Sequence, residues 1–192
     1  MLRKQRLVEL ITVILCLSFA AALFADTGQK SLPSSQKDEK LAKEAFDNGI
    51  ACMQKHKYDE AIAEFNKAIE FDPKNAEAYF GRGLAYSLKG NSDQAISDFT
   101  KAIEINSRSS AYGLRAATYL SKDNYDQAIA DYTKVIEIDS KDGEHYNGRA
   151  IAYFEKQDYD KTWNDIYKAE ELGAKTDPKF LEKIKKASGR EK

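Results

Sequence analysis

The sequence predicts an all-α fold, a solenoid of stacked helix pairs, and three observations predict it. One pattern is written four times. Gly49 and Cys52 lead to Ala61, Phe65 and Ala68; Gly83 and Tyr86 lead to Ala95, Phe99 and Ala102; Ala116 and Tyr119 lead to Ala128, Tyr132 and Val135; Ala150 and Tyr153 lead to Thr162, Ile166 and Ala169. The small residues that open the copies lie 34, 33 and 34 residues apart, a period characteristic of arrays of helix pairs. Helical apolar periodicity also runs from about Asp38 to about Leu172, interrupted only by short polar breaks. An array of this kind works through a surface and not through a catalytic pocket.

Taken in order, the N-terminus differs in kind from the rest. Arg3, Lys4 and Arg6 precede an uncharged, mostly apolar run of 15 residues from Leu10 to Phe24, followed by Ala25. Residues 1–25 therefore read as a secretory signal peptide, with an uncleaved N-terminal anchor as the alternative. The run is shorter than the roughly 20 residues of a spanning helix. Cleavage after Ala25 or after Ala22 fits the small residues there, whereas Leu15 before Cys16 does not suit a lipidation site. Export, to a periplasmic or other extracytoplasmic location, is the expectation; an uncleaved segment would leave the protein anchored in the inner membrane. Residues 26–38, with Gly28, Pro33, Ser34 and Ser35 and no apolar period, read as a flexible linker.

The repeat domain is expected over 39–174, with units at about 42–75, 76–108, 109–142 and 143–174. Breaks fall at Lys55–Lys57, Asp72–Lys74, Lys89–Asn91, Asn106–Arg108, Lys122–Asn124, Ser140–Gly143 and Lys156–Asp158, which leaves eight helices between them. Gly173 ends the last of these. Asp177 and Pro178 then offer an N-cap and a proline at the first helical position, so a capping helix is expected within 177–188, ahead of a short tail at 189–192. Phe180, Leu181 and Ile184 would cover the open end of the stack.

Composition excludes several functions. Charged residues make up 32% of the chain with a net charge of -1, which offers no basic footprint for nucleic acid or anionic membrane and favours a protein partner. Loss of residues 1–25 would remove three bases and one acid and leave a net charge of -3. Only Cys52 would remain, so no internal disulfide is available, and its place in the repeat reads as a buried thiol. The two histidines, His56 and His145, have no cysteine or serine at a spacing that would suggest chemistry. No metal-ligand pattern and no cofactor motif is present, and Gly81-Arg82-Gly83 lies inside a helix, where a phosphate loop would need a preceding strand. A non-enzymatic protein is expected.

The four units resemble tetratricopeptide repeats (TPR). The resemblance rests on the small residues Gly49, Gly83, Ala116 and Ala150, the rings at Tyr79, Tyr112 and Tyr146, and the turn rings at Tyr58, Tyr125 and Tyr159. It implies a right-handed TPR solenoid, with each small residue placed where the two helices of a unit cross. The proline common after the second helix survives only as Pro73, and Thr162 and Ile166 weaken the fourth unit. The resemblance also implies that the first helices line a concave face. By register that face carries Phe46, Ile50 and Met53, then Phe80 and Leu84, Ala117 and Leu120, and Ile151 and Phe154. Such a surface suits an amphipathic helix or an extended apolar peptide; the other reading is that these rings brace adjacent units. The lysine, asparagine and arginine clamp of chaperone-binding TPR domains is missing, its sites being Phe46, Ile50, Gly81, Ser110 and Leu114.

Arg82, Arg115 and Arg149 each precede the small residue, and Asp98, Asp131 and Asp165 each follow sixteen residues later. The first unit has Asn48 and Glu64 instead, so Arg and Asp occur together or not at all. This covariation within one chain predicts structural ion pairs inside each unit, not an anion-binding ladder. The function expected is that of a protein-interaction scaffold of the cell envelope or secretory space that holds a partner segment in its groove. The alternative is a self-associating, membrane-tethered organiser of an envelope complex.

Overall fold

A computed structural model describes residues 34–107 and 109–190. The segment read as a signal or anchor, 1–25, and the linker residues 26–33 lie outside the described residues. The chain divides into two compact units, Met1–Lys37 and Asp38–Lys192; of the first, only the opening turn of one helix is described.

Among the described residues the secondary structure is entirely helical: α1 Ser34–Gln54, α2 Tyr58–Phe71, α3 Ala76–Leu88, α4 Ser92–Ile105, α5 Ser109–Ser121, α6 Tyr125–Ile138, α7 Gly143–Glu155, α8 Tyr159–Glu171 and α9 Pro178–Ser188. Consecutive helices pack against one another from α2 to α8. The all-α repeat fold read from the periodicity is the fold observed, and the described residues of the polar breaks fall between helices, except Gly143, which opens α7. The linker boundary also differs. Ser34 to Asp38, assigned to the linker, are helical, because Gln36, Lys37, Glu39 and Lys40 are good helix formers that prolong a helix nucleated on the buried Ala42 and Ala45.

Each turn inside a unit closes in one way. The backbone N–H groups of Lys57, Asn91, Asn124 and Asp158 donate to the carbonyls of Cys52, Tyr86, Tyr119 and Tyr153 at 2.9–3.0 Å. His56, Gly90, Asp123 and Gln157 take the left-handed conformation this closure needs, with φ of 56°, 80°, 59° and 61°. After the turns between units, side chains cap two of the first helices: Asn75 accepts from Ala78 N–H at the start of α3 and Asp142 from Glu144 N–H at the start of α7.

The core is a row of side chains from the second helices seated on bare stretches of the first. Phe65 and Phe99 are fully buried. A Cβ added at Gly49 or Gly81 would lie 2.6 Å from the Phe65 ring, and one at Gly83 would lie 2.9 Å from Phe99. Gly49 belongs to the same unit as Phe65 and Gly81 to the next. The small residues thus seat a ring within a unit and also between units, which the crossing argument alone did not anticipate.

At the C-terminal end α9 begins with the Asp177 carboxylate accepting from Lys179 N–H at 3.0 Å and ends at Gly189 in the left-handed region. Its Ile184 is fully buried against Ala150, Trp163 and Ile166. The helix covers the apolar face that the fourth unit would otherwise expose.

Candidate interaction surface

The first helices of neighbouring units touch, α3 with α5 and α5 with α7, whereas the second helices do not approach one another to that degree. Helices that close up on one side and splay on the other place the first set on the inner, concave side. The nine groove residues read from the sequence all lie on those first helices. Ile50 is 37% exposed and Ala117 is exposed, while Phe80, Leu84 and Ile151 are half-buried. The remaining four also support the core: Phe46 and Met53 pack on the first cluster, Leu120 on the second and Phe154 on the third. Phe46 is centred 5.8 Å from Phe65 and Phe80 5.9 Å from Phe99 within their own units, whereas Phe154 meets Phe180 of α9 at 5.3 Å. Aromatic bodies therefore root the groove floor while Ile50 and Ala117 remain open to solvent.

Behind this floor the arginines and aspartates meet. Arg82 donates through Nε and Nη2 to both oxygens of Asp98 at 2.7 and 2.6 Å. Arg115 does the same to Asp131 at 2.7 and 2.8 Å, and Arg149 to Asp165 at 2.8 Å twice. The three aspartate side chains are only 6–8% exposed. Hydrogen bonding to the carboxylate holds each guanidinium above its usual pKa, against the opposing effect of burial. The structure adds a partner that the sequence reading missed: Nη1 of each arginine crosses to the preceding unit, donating to Asn66, Thr100 and Thr133 at 2.6, 2.8 and 3.0 Å. These acceptors also recur every 34 and 33 residues, a signal available but unread. The pairs are therefore inter-unit clamps as well as intra-unit bridges, and Asn48 stands in the arginine's place in the first described unit. Tyr79, Tyr112, Tyr119, Tyr146 and Tyr153 flank the guanidinium groups, with ring centroids 5.5–5.9 Å away.

Two further concavities bear on function. At the C-terminal end of the groove a cavity of about 410 Å³ opens between α7 and the segment from Lys175 to Lys183, floored by Ile151, Phe154 and Phe180. On the edge formed by the intra-unit turns, a cavity of about 480 Å³ is lined by Lys156, Asp158, Asp160 and Arg190 among others. Its charges are already paired: Arg190 with Asp160 across the cavity, and Lys156 with Asp126. Among the described residues no group of three or more His, Cys, Asp or Glu could hold a metal ion, and no helix is long and apolar enough to cross a membrane.

Residues 49–142 carry tetratricopeptide repeats, and the fold is the all-α TPR solenoid. The sequence matches the family model described as TPR repeat over residues 49–90 and that described as Tetratricopeptide repeat over 76–109 and 109–142. Among solved structures, a crystal structure of MamA is 25% identical, with a TM-score of 0.67 over 81% of this chain and 84% of that one. The first TPR of Spaghetti (RPAP3), bound to the HSP90 peptide SRMEEVD, is 27% identical, with a TM-score of 0.60 over 62% of this chain and 95% of that one. YrrB, described as a TPR protein with an unusual peptide-binding site, is 18% identical, with a TM-score of 0.63 over 67% of this chain and 66% of that one. No curated protein matches the sequence.

Proposed function

We propose that this protein is a non-enzymatic interaction scaffold of the cell envelope or secretory space, and that its concave face holds a peptide or helix of a partner protein. The observation that carries the proposal is the incompletely sealed inner face. Ile50 and Ala117 are exposed on it, with half-buried Phe80, Leu84 and Ile151 between and beyond them, and accessible apolar side chains on a concave face suit helix-in-groove or extended-peptide docking. Spaghetti and YrrB hold or are described as binding peptides, which supports the same use of the fold here. Their mode does not carry over in detail. The clamp positions hold Phe46, Ile50, Gly81, Ser110 and Leu114, so recognition rests on apolar contact and not on a terminal carboxylate. The envelope location rests on the basic and apolar N-terminal sequence.

Phe80→Asp combined with Ile151→Asp separates this function from self-association. Partner capture, read by crosslinking in intact cells, is expected to disappear while the sedimentation coefficient of the purified protein stays unchanged. Loss of an oligomer with capture retained would favour an organiser role instead. N-terminal sequencing of the mature protein tests export, with a new terminus at residue 23 or 26 as the expected result.

A further inference from the structure

We propose that the cavity between α7 and α9 is the anchor pocket of the groove, seating a bulky apolar side chain of a partner segment that carries a basic residue beside it. This inference rests on the groove reading above and specifies its chemistry.

The pocket begins with one buried amide. Asn147 is 9% exposed; its Oδ1 accepts from Thr176 Oγ1 at 2.7 Å, while its nitrogen reaches only the Lys175 carbonyl at 3.5 Å. The acceptor is well engaged and the donor is at the outer limit of hydrogen bonding. A carboxamide nitrogen has two N–H groups, so Asn147 has donor capacity for a backbone carbonyl of a bound segment. Beside it Ile151, Phe154 and Phe180 form an apolar floor, with Phe154 and Phe180 meeting edge to face at 5.3 Å. About 410 Å³ lies within the range of specific ligand pockets and accommodates an aromatic side chain with its flanking backbone.

Charge selects the neighbour of that side chain. Glu144 and Glu155 line the pocket from α7, three helical turns and about 16 Å apart, on either side of Ile151 and Phe154. Neither makes an ion pair among the described residues, unlike the acids of the turn-edge cavity. Lys175 and Lys183 come from the segment that closes the far end. A segment running along α7 therefore meets acids before and after the apolar floor, and a basic side chain there is favoured.

Fluorescence anisotropy with three blocked twelve-residue peptides tests the pocket: one with Phe between two arginines, one with Ala for the Phe, and one with Glu for both arginines. The full chain is expected to bind the first saturably, at least tenfold more tightly than the second. Glu144→Lys with Glu155→Lys, both exposed and expected to leave the circular dichroism unchanged, should weaken the first peptide by about tenfold and shift preference toward the third. Equal binding of the Phe and Ala peptides, or no response to charge reversal, overturns the pocket. If that binding is still lost in Ile50→Asp with Ala117→Glu, the groove reading stands without it. No saturable binding by any of the three peptides up to about 1 mM also overturns the pocket, and the groove reading is then decided by the capture experiment.

Discussion

Arg82, Arg115 and Arg149 each use a planar fork twice, two donors on a buried carboxylate in their own unit and a third on the unit before. Removing one leaves a carboxylate that is almost wholly out of water with no counter-charge. Arg115→Ala should therefore destabilise the protein by roughly 3 kcal/mol or more, since breaking a buried pair costs more than the pair itself contributes; a thermal melt unchanged from wild type would contradict the structural role. Tyr132 gives a pH test. Burial pushes its phenol up to about 12 from an ordinary 10, so the contribution is intact below pH 10 and is lost as pH rises toward 12. The difference in unfolding free energy between wild type and Tyr132→Phe should shift against wild type by up to roughly 3 kcal/mol across that window, as read by urea denaturation. Backbone strain is testable at Gln157, which holds φ at 61° where the second unit has Gly90. Gln157→Gly should raise the melting temperature, with a gain of up to about 1 kcal/mol.

At the scale of the element, α9 turns an extendable stack into a finished one. Seven residues past the cap position, where α3 and α7 carry Arg82 and Arg149, it carries Ile184; the second helix before it offers Tyr167 where earlier units offer Thr100 and Thr133. Packing of Ile184 on Ala150, Trp163 and Ile166 thus takes the place of the polar clamp. Ile184→Ala should cost about 2–5 kcal/mol. Trp163, the chain's single tryptophan, is 2% exposed beneath this helix and donates to Ser188 at 3.2 Å. Its emission should therefore move to the red in Ile184→Asp at temperatures below the main unfolding transition, and unchanged emission would mean that α9 does not depend on this contact. The presence and start of α9 were legible because Asp177 and Pro178 are local signals. The early start of α1 was not, because charged helix formers without an apolar period look the same in a spacer and in a helix extension.

Across the whole repeat domain, a period in sequence becomes a period in contacts. Phe65 lies against Gly81 of the next unit and Arg115 against Thr100 of the unit before, so each unit is completed by its neighbours and the first helices are held in line along one face. The fold was readable because small and ring residues recur at one spacing. The groove was only partly readable: register placed its nine residues on the first helices, yet the division between floor and open surface depends on how deeply each ring is seated, which spacing does not report. The pocket was invisible, because it joins α7 to a connection with no repeat register. The most direct test of the central claim, that this open inner face does the work, is partner capture in intact cells by Ile50→Asp combined with Ala117→Glu. Both sites are exposed, so the melting temperature should stay within a few degrees of wild type while the crosslinked partner disappears. Undiminished capture by this folded variant would contradict the account.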